Sequence, residues 1–166
     1  MGYLKALVDT LVNVANGLEE TLADDANVLE GFERSVQLDG YSCGAQSAFM
    51  ILSYYGKARS IDAVERALGT DEDGTSTGQI LTLLRQRKLR PRVVAQAGMK
   101  HLTAAIRDGS PVLVSLDDEG HWGVVYGFAR SHVYLADPSL GGSLTCRVPR
   151  ADFHERWDRW AMIVGR

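Results

Sequence analysis

The spacing of apolar residues changes at Pro91, and this change constrains the fold more than any other feature of the chain. Upstream of it, apolar side chains recur every three to four residues, the period of an amphipathic helix. Leu4, Leu7, Val8, Leu11, Val12, Ala15, Leu18 and Leu22 form one such face over residues 3–22. A shorter helical segment, 26–32, follows an Asp24-Asp25 pair that could cap it. Residues 35–41 read as a loop or short extended piece. Residues 43–55 then predict a helix rich in Ala, Met, Leu and Ile, closed by Gly56. Ser60 caps a helix to Leu68, with Gly69 as its stop. An acidic turn spans 70–75, and Ser76 or Thr77 starts a helix that runs to about Arg87.

Downstream the period shortens. Residues 92–96 predict a strand, and 99–107 a helix before the Asp108-Gly109 turn. Residues 111–116 are apolar and β-branched, the mark of a buried strand. Residues 121–128 and 132–136 predict a hairpin turning at 129–131. Strands at 143–148 and 160–164 complete the set, with a short helix around 150–157 between them. Helices first and an antiparallel sheet second make the class α+β.

A length of 166 residues suits one domain, here residues 31–166, behind an N-terminal helical extension over 1–30. That extension reads as a helix packing its apolar face on the domain. The competing readings are a partner-binding or dimerising helix, or a gate over a cleft. The net charge of -3 comes without a basic stripe, which argues against a nucleic-acid partner. Arg85, Arg87, Lys88, Arg90 and Arg92 suit a solvated helix end. No run is long enough to span a membrane, and the first residues lack a signal-peptide pattern. Two cysteines, Cys43 and Cys146, do not make a disulfide framework, so a reducing cytoplasm is expected. No cluster has zinc spacing, and neither metal nor cofactor is expected.

Four residues bear on chemistry. Cys43 stands where a loop gives way to an apolar helix, and Gly44 after it permits close approach of a substrate backbone. A helix N-terminus stabilises a thiolate, the nucleophilic form. Taken alone, Cys43 fits a buried structural cysteine equally well. His121 opens a predicted strand between Gly120 and the Trp122-Gly123 pair, with space around its ring. In isolation it suits a solvated strand end. His101, His132 and His154 fall in predicted helices or a turn and suit a catalytic role less well. Asp137 ends the strand paired with that of His121, where it could orient an imidazole, although an aspartate before Pro138 is also an ordinary turn residue. Gln37, six residues before Cys43, could supply one donor of an oxyanion hole; alone it reads as a surface side chain. The order Gln, Cys, His, Asp is more specific than any one of them. Trp157 and Trp160 read as core, and Cys146 as a bystander in a strand.

The run Gln37-Leu38-Asp39-Gly40-Tyr41-Ser42-Cys43-Gly44 resembles the signature of the double-glycine leader peptidases, papain-like cysteine peptidases that process bacteriocin and lanthipeptide precursors. The resemblance continues through Tyr55-Gly56, Gly74-Thr75-Ser76, Gly120-His121-Trp122, Ala136-Asp137-Pro138 and Phe153 to Trp157, covering about residues 34–166. It implies a papain-like fold with Cys43 as nucleophile, His121 as general base and acid, Asp137 as orienter and Gln37 as oxyanion donor. It implies a precursor-peptide substrate cut after Gly-Gly, and a transporter among the partners. Members of the family often carry aspartate where this chain has Ser42. The same triad could also serve an acyltransferase or amidase, and an idle cleft could simply bind peptide.

Overall fold

The computed structural model describes residues 2–21 and 25–166, with side chains described for 2–15 and from 25 onward. The side chain of Leu18, and Leu22 and Asp24 altogether, lie outside what the structure describes. Helix α1 spans Gly2–Thr21, and a two-residue strand β1, Asn27–Val28, follows it. A short helix was expected at 26–32. Instead β1 pairs antiparallel with the far end of a later strand, and Leu29 donates to the Tyr126 carbonyl at 2.8 Å. Ladder bonds to a waiting strand satisfy this backbone more readily than a two-turn helix could.

Three helices then form the first half: α2 (Cys43–Tyr54), α3 (Ile61–Leu68) and α4 (Thr77–Gln86). Their limits follow from local chemistry. Ser60 accepts from the Ala63 N–H, and Ser76 with Gln79 forms a reciprocal capping box. Strand β2 (Arg90–Val94) and helix α5 (Met99–Arg107) lead into the sheet half. There β3 (Val112–Leu116), β4 (His121–Phe128), β5 (His132–Ala136), β6 (Arg147–Pro149), α6 (Arg150–Arg156) and β7 (Trp157–Gly165) follow in order.

The sheet runs β2-β7-β3-β4-β5-β6, with β1 added to β4, and each of these pairings is antiparallel. Two strand limits differ from expectation. The predicted strand 143–148 divides into a 3-10 turn, Gly142–Leu144, and the short β6. The last strand begins at Trp157 rather than Trp160 because it pairs along the whole of β3 through a bulge near Ser115. The core lies between α2 and the sheet. Ala45, Ala48, Ile51 and Leu52 of α2 are fully enclosed, as are Val112–Val114 of β3 and Val124 of β4.

Helix α1 departs from the packing reading. Leu4, Leu7, Leu11 and Val14 point away from the domain, each more than half exposed. The opposite face docks through polar groups. Asn13 bonds both the carbonyl and the N–H of Arg34, Asp9 accepts from Val36 N–H, and Lys5 donates to Ser35 Oγ. Backbone groups of 34–36 need partners, and an apolar face could not supply them.

Candidate active site

The loop before α2 is shaped by Asp39, whose carboxylate accepts the N–H groups of Tyr41 at 2.9 Å and Ser42 at 2.7 Å. This Asx turn delivers the chain into α2 with Cys43 as its first residue. Ser42 at the N-cap makes no side-chain cap bond, and the Gly44 N–H in the first turn is bonded to the thiol. Gly44 is there for space. A Cβ on it would meet Thr75 Cβ at 2.8 Å and Trp122 Cδ1 at 3.1 Å.

His121 begins β4, and Asp137 directly follows β5, so neighbouring antiparallel strands carry them to the same end of the sheet. His121 Nε2 lies 2.7 Å from Asp137 Oδ1. A carboxylate can only accept, so Nε2 carries the proton and Nδ1 is left for the Cys43 thiol, to which the ring is also bonded. Burial pulls the imidazole pKa down, but the bonds to Asp137 and Cys43 outweigh it and carry it up to about 9. Burial raises the Cys43 pKa, yet His121 and the backbone amides of Trp122 and Gly44 lower it below that of an ordinary thiol. Asp137 is held well below the usual carboxylate range: burial opposes this, but His121 and Ser139 overcome it. These directions favour a thiolate–imidazolium pair near neutrality.

Gln37 is buried beside the loop leading to Cys43. Its backbone N–H donates to the Pro138 carbonyl at 2.7 Å, tying the loop to the residue after Asp137. Its side-chain amide donates to the Asp39 carbonyl at 2.9 Å, which uses one of its two N–H groups. The other histidines stand elsewhere. His101 accepts the Gly98 N–H, His132 bonds Ser131, and His154 packs beside Phe153 and Trp157.

Sequence reasoning missed the groups that hold Asp137 and His121 in place. Arg156, the last residue of α6, donates to Asp137 Oδ2 at 3.0 Å and grips both oxygens of Asp117 at 2.9 and 2.8 Å. Ser139 donates its N–H and its hydroxyl to Asp137 Oδ1. Gly142 lies against the same carboxylate so closely that any Cβ would overlap it. Between β3 and β4, Asp117, Asp118 and Glu119 all have left-handed backbone, with φ of 57°, 56° and 64°. Asp158 restrains this turn, accepting from the N–H groups of Asp118 and Glu119 and from the Ser115 hydroxyl. Only the Asp137-Pro138-Ser139 run carried any local hint, since Ser after Asp-Pro is a common turn partner.

A cleft of about 460 Å³ opens at Cys43. Tyr41, Gly74, Thr75, Trp122 and Trp160 are among its walls, and Glu72, Asp73 and Glu119 give it an acidic character. Trp122 donates to the Thr75 carbonyl at 3.2 Å and meets Trp160 edge to face. Trp160 packs against the core, partly buried, and also lines the cleft, whereas Trp157 is buried as expected. Cys146 is buried in the bend before β6, and no disulfide engages either cysteine. Among the described residues no helix is long and apolar enough to cross a membrane.

Comparison with known proteins gives the same architecture. The peptidase domain of a Streptococcus ComA, described as a bi-functional ABC transporter, superposes with a TM-score of 0.70 at 21% identity, covering 81% of this chain and 98% of that one. A double glycine motif protease from an AMS/PCAT transporter, solved with its leader peptide, gives 0.67 at 23% identity, covering 83% and 96%. A putative C39-like peptidase from Bacillus anthracis gives 0.68 at 17% identity, covering 86% and 98%. In sequence, the transport/processing ATP-binding protein ComA of Streptococcus pneumoniae R6 is 27% identical over 128 residues, 73% of this chain but only 17% of that protein. The chain thus spans about a sixth of the length of that relative. The profile of the Peptidase C39 family matches residues 32–166. The chain belongs to the peptidase C39 family and is a cysteine peptidase of papain-like α+β fold.

Proposed function

We propose that Cys43, His121, Asp137 and Gln37 are the catalytic residues and that the substrate is a precursor peptide cut behind a Gly-Gly leader. The observation that carries the first part is the chain of contacts from the Cys43 thiol through the His121 ring to Asp137, closed by a 2.7 Å bond. In this reading the Cys43 thiolate attacks the scissile carbonyl carbon, and the carbonyl π electrons move to oxygen. Gln37 and a backbone N–H near Cys43 stabilise that oxyanion, a contribution of about 3 kcal/mol per well-placed donor. His121 as imidazolium gives its proton to the departing amine, leaving a thioester on Cys43. Water, losing a proton to His121, then attacks the thioester and releases the new carboxyl end. Asp137 keeps the ring in the required tautomer throughout.

The Gly-Gly part rests on family membership and on the likeness of residues 37–44 to the double-glycine leader peptidase signature. The solved double glycine motif protease with its leader peptide supports the same choice. By analogy with the transport/processing relative, the product would be handed to a transporter, and the reaction would take place in the reducing cytoplasm.

The test compares iodoacetamide labelling of Cys43 and Cys146 at neutral pH, then follows cleavage of leader peptides by mass spectrometry. Cys43 is expected to label rapidly and Cys146 slowly. Cys43→Ala should abolish cleavage, and replacing Gly-Gly by Ala-Ala in the peptide should strongly reduce it. A slow Cys43, or processing that survives its loss, overturns the triad. Cleavage indifferent to the Ala-Ala change overturns the substrate assignment alone.

A further inference from the structure

We infer that α1 is a self-association element, pairing with α1 of a second copy of this chain through its outward face. The outward residues are Leu4, Leu7, Leu11 and Val14, which follow the 3-4-3 spacing of a coiled-coil seam. At 100° per residue these four form a stripe about 80° wide, and Val8 and Val12, half-buried, continue the apolar face on its inner side. Their exposures are 58%, 57%, 60% and 62%, and Tyr3 at the edge of the stripe is 95% exposed.

The rotation of the helix is fixed by its other face. Asn13 pairs with the Arg34 backbone through both its amide atoms, Asp9 accepts from Val36 N–H, and Lys5 reaches Ser35. In an isolated coiled coil, positions such as these would face water. Here they face the domain, and the apolar seam faces outward. Turning α1 to bury its leucines would break four hydrogen bonds, three of them to backbone.

The choice of a second copy follows from the residues flanking the seam. Tyr3, Val8, Thr10 and Ala15 occupy the positions that set partner choice in coiled coils, and none is charged. Two identical faces therefore meet without like-charge repulsion, as a two-fold pair requires. A lipid surface fits poorly. The only basic residue in residues 2–21 is Lys5, already engaged by Asp9 and Ser35, whereas interfacial helices carry several. The β2 edge of the sheet is a poor alternative, because it carries Arg90, Pro91 and Arg92, residues that hinder strand addition. A seam of this length, with the surface around it, covers on the order of 600 Å² a side, the lower limit for a specific interface. The expected dimer is accordingly of micromolar affinity. The inference holds whether or not Cys43 hydrolyses a peptide.

Sedimentation velocity of the full chain over roughly 1–200 µM should show a monomer–dimer equilibrium across this range. Leu7→Lys with Leu11→Lys should weaken it at least a hundredfold, while the circular dichroism of the domain and the rate of Cys43 labelling stay unchanged. Leu7→Ala with Leu11→Ala, milder for helix stability, should weaken it about tenfold. Val93→Lys, on the exposed face of β2, should leave the dimer intact. A wild-type chain that is monomeric throughout, or a dimer indifferent to the Lys and Ala pairs but lost in Val93→Lys, overturns the inference. So does binding of the monomer to anionic vesicles through the same leucines.

Discussion

Arg156 fixes the far side of the Asp137 carboxylate and the near end of the turn before His121, so one guanidinium holds both approaches to the imidazole. Its bond to Asp137 reaches the oxygen that His121 leaves free. Without it the carboxylate keeps His121 and Ser139 on one oxygen but loses the contact that sets its plane. Arg156→Gln is therefore expected to lower kcat/KM on a cleavable peptide roughly tenfold, about the effect of losing one charge-assisted hydrogen bond. The pH profile distinguishes this from general loosening. Removing a cation beside the pair lets Asp137 act more strongly on the imidazolium, so the alkaline limb should move up rather than down. Arg156→Lys keeps the charge but not the fork, and should restore the limb more fully than the rate. A rate loss with an unmoved limb would mean that Arg156 serves only the fold. Its role was not legible in the sequence: nothing in the string Glu155-Arg156-Trp157 announces a partner nineteen residues upstream. Cys43, His121 and Asp137, by contrast, each carried a local mark in a flanking glycine or proline.

At the scale of elements, the turn between β3 and β4 is the costly piece. Three consecutive non-glycine residues in left-handed backbone each cost about 1 kcal/mol or more, and β4 begins two residues later. Asp158 at the start of β7 offsets that cost with three accepted hydrogen bonds, and Arg156 adds the grip on Asp117. Asp158→Ala should lower unfolding free energy by about 2 kcal/mol, read from urea denaturation. It should also speed amide exchange at Asp118 and Glu119 specifically. Unchanged exchange there would show that the turn holds itself. The turn also marks the limit of sequence reading. Helices α3 and α4 were legible because Ser60, Gly69 and Ser76 state their ends within one turn of chain. Strand β1 was not, since two residues carry no period and their pairing with Gly127 and Phe128 spans a hundred residues. The α1 stripe was legible as a helix but not in its orientation. Only the backbone demand of 34–36 decides which face is turned inward.

For the whole molecule, Cys43 and His121 join the helical half to the sheet half, and their proton inventory sets how stability depends on pH. The folded pKa of His121 is raised from 6.5 to about 9, so its contribution is complete below 6.5 and is lost as pH rises through about 9. The folded pKa of Cys43 is lowered from 9.0, so its contribution has the opposite sense, growing with pH up to 9.0. Between 6.5 and 9.0 the two oppose each other, because ionising the folded thiol releases the proton that the raised imidazole retains. Wild-type stability should therefore vary less with pH over that window than His121 alone would make it. Cys43→Ala removes the opposing member and leaves His121 raised by Asp137 alone. Its stability should fall with rising pH above 6.5, by up to about 1.4 kcal/mol per pH unit, until the imidazole has titrated. Urea denaturation of both proteins at half-unit steps from pH 5.5 to 9.5 checks both slopes. Parallel curves for the two proteins would mean that Cys43 is a neutral thiol in the folded state, and that no ion pair spans the halves.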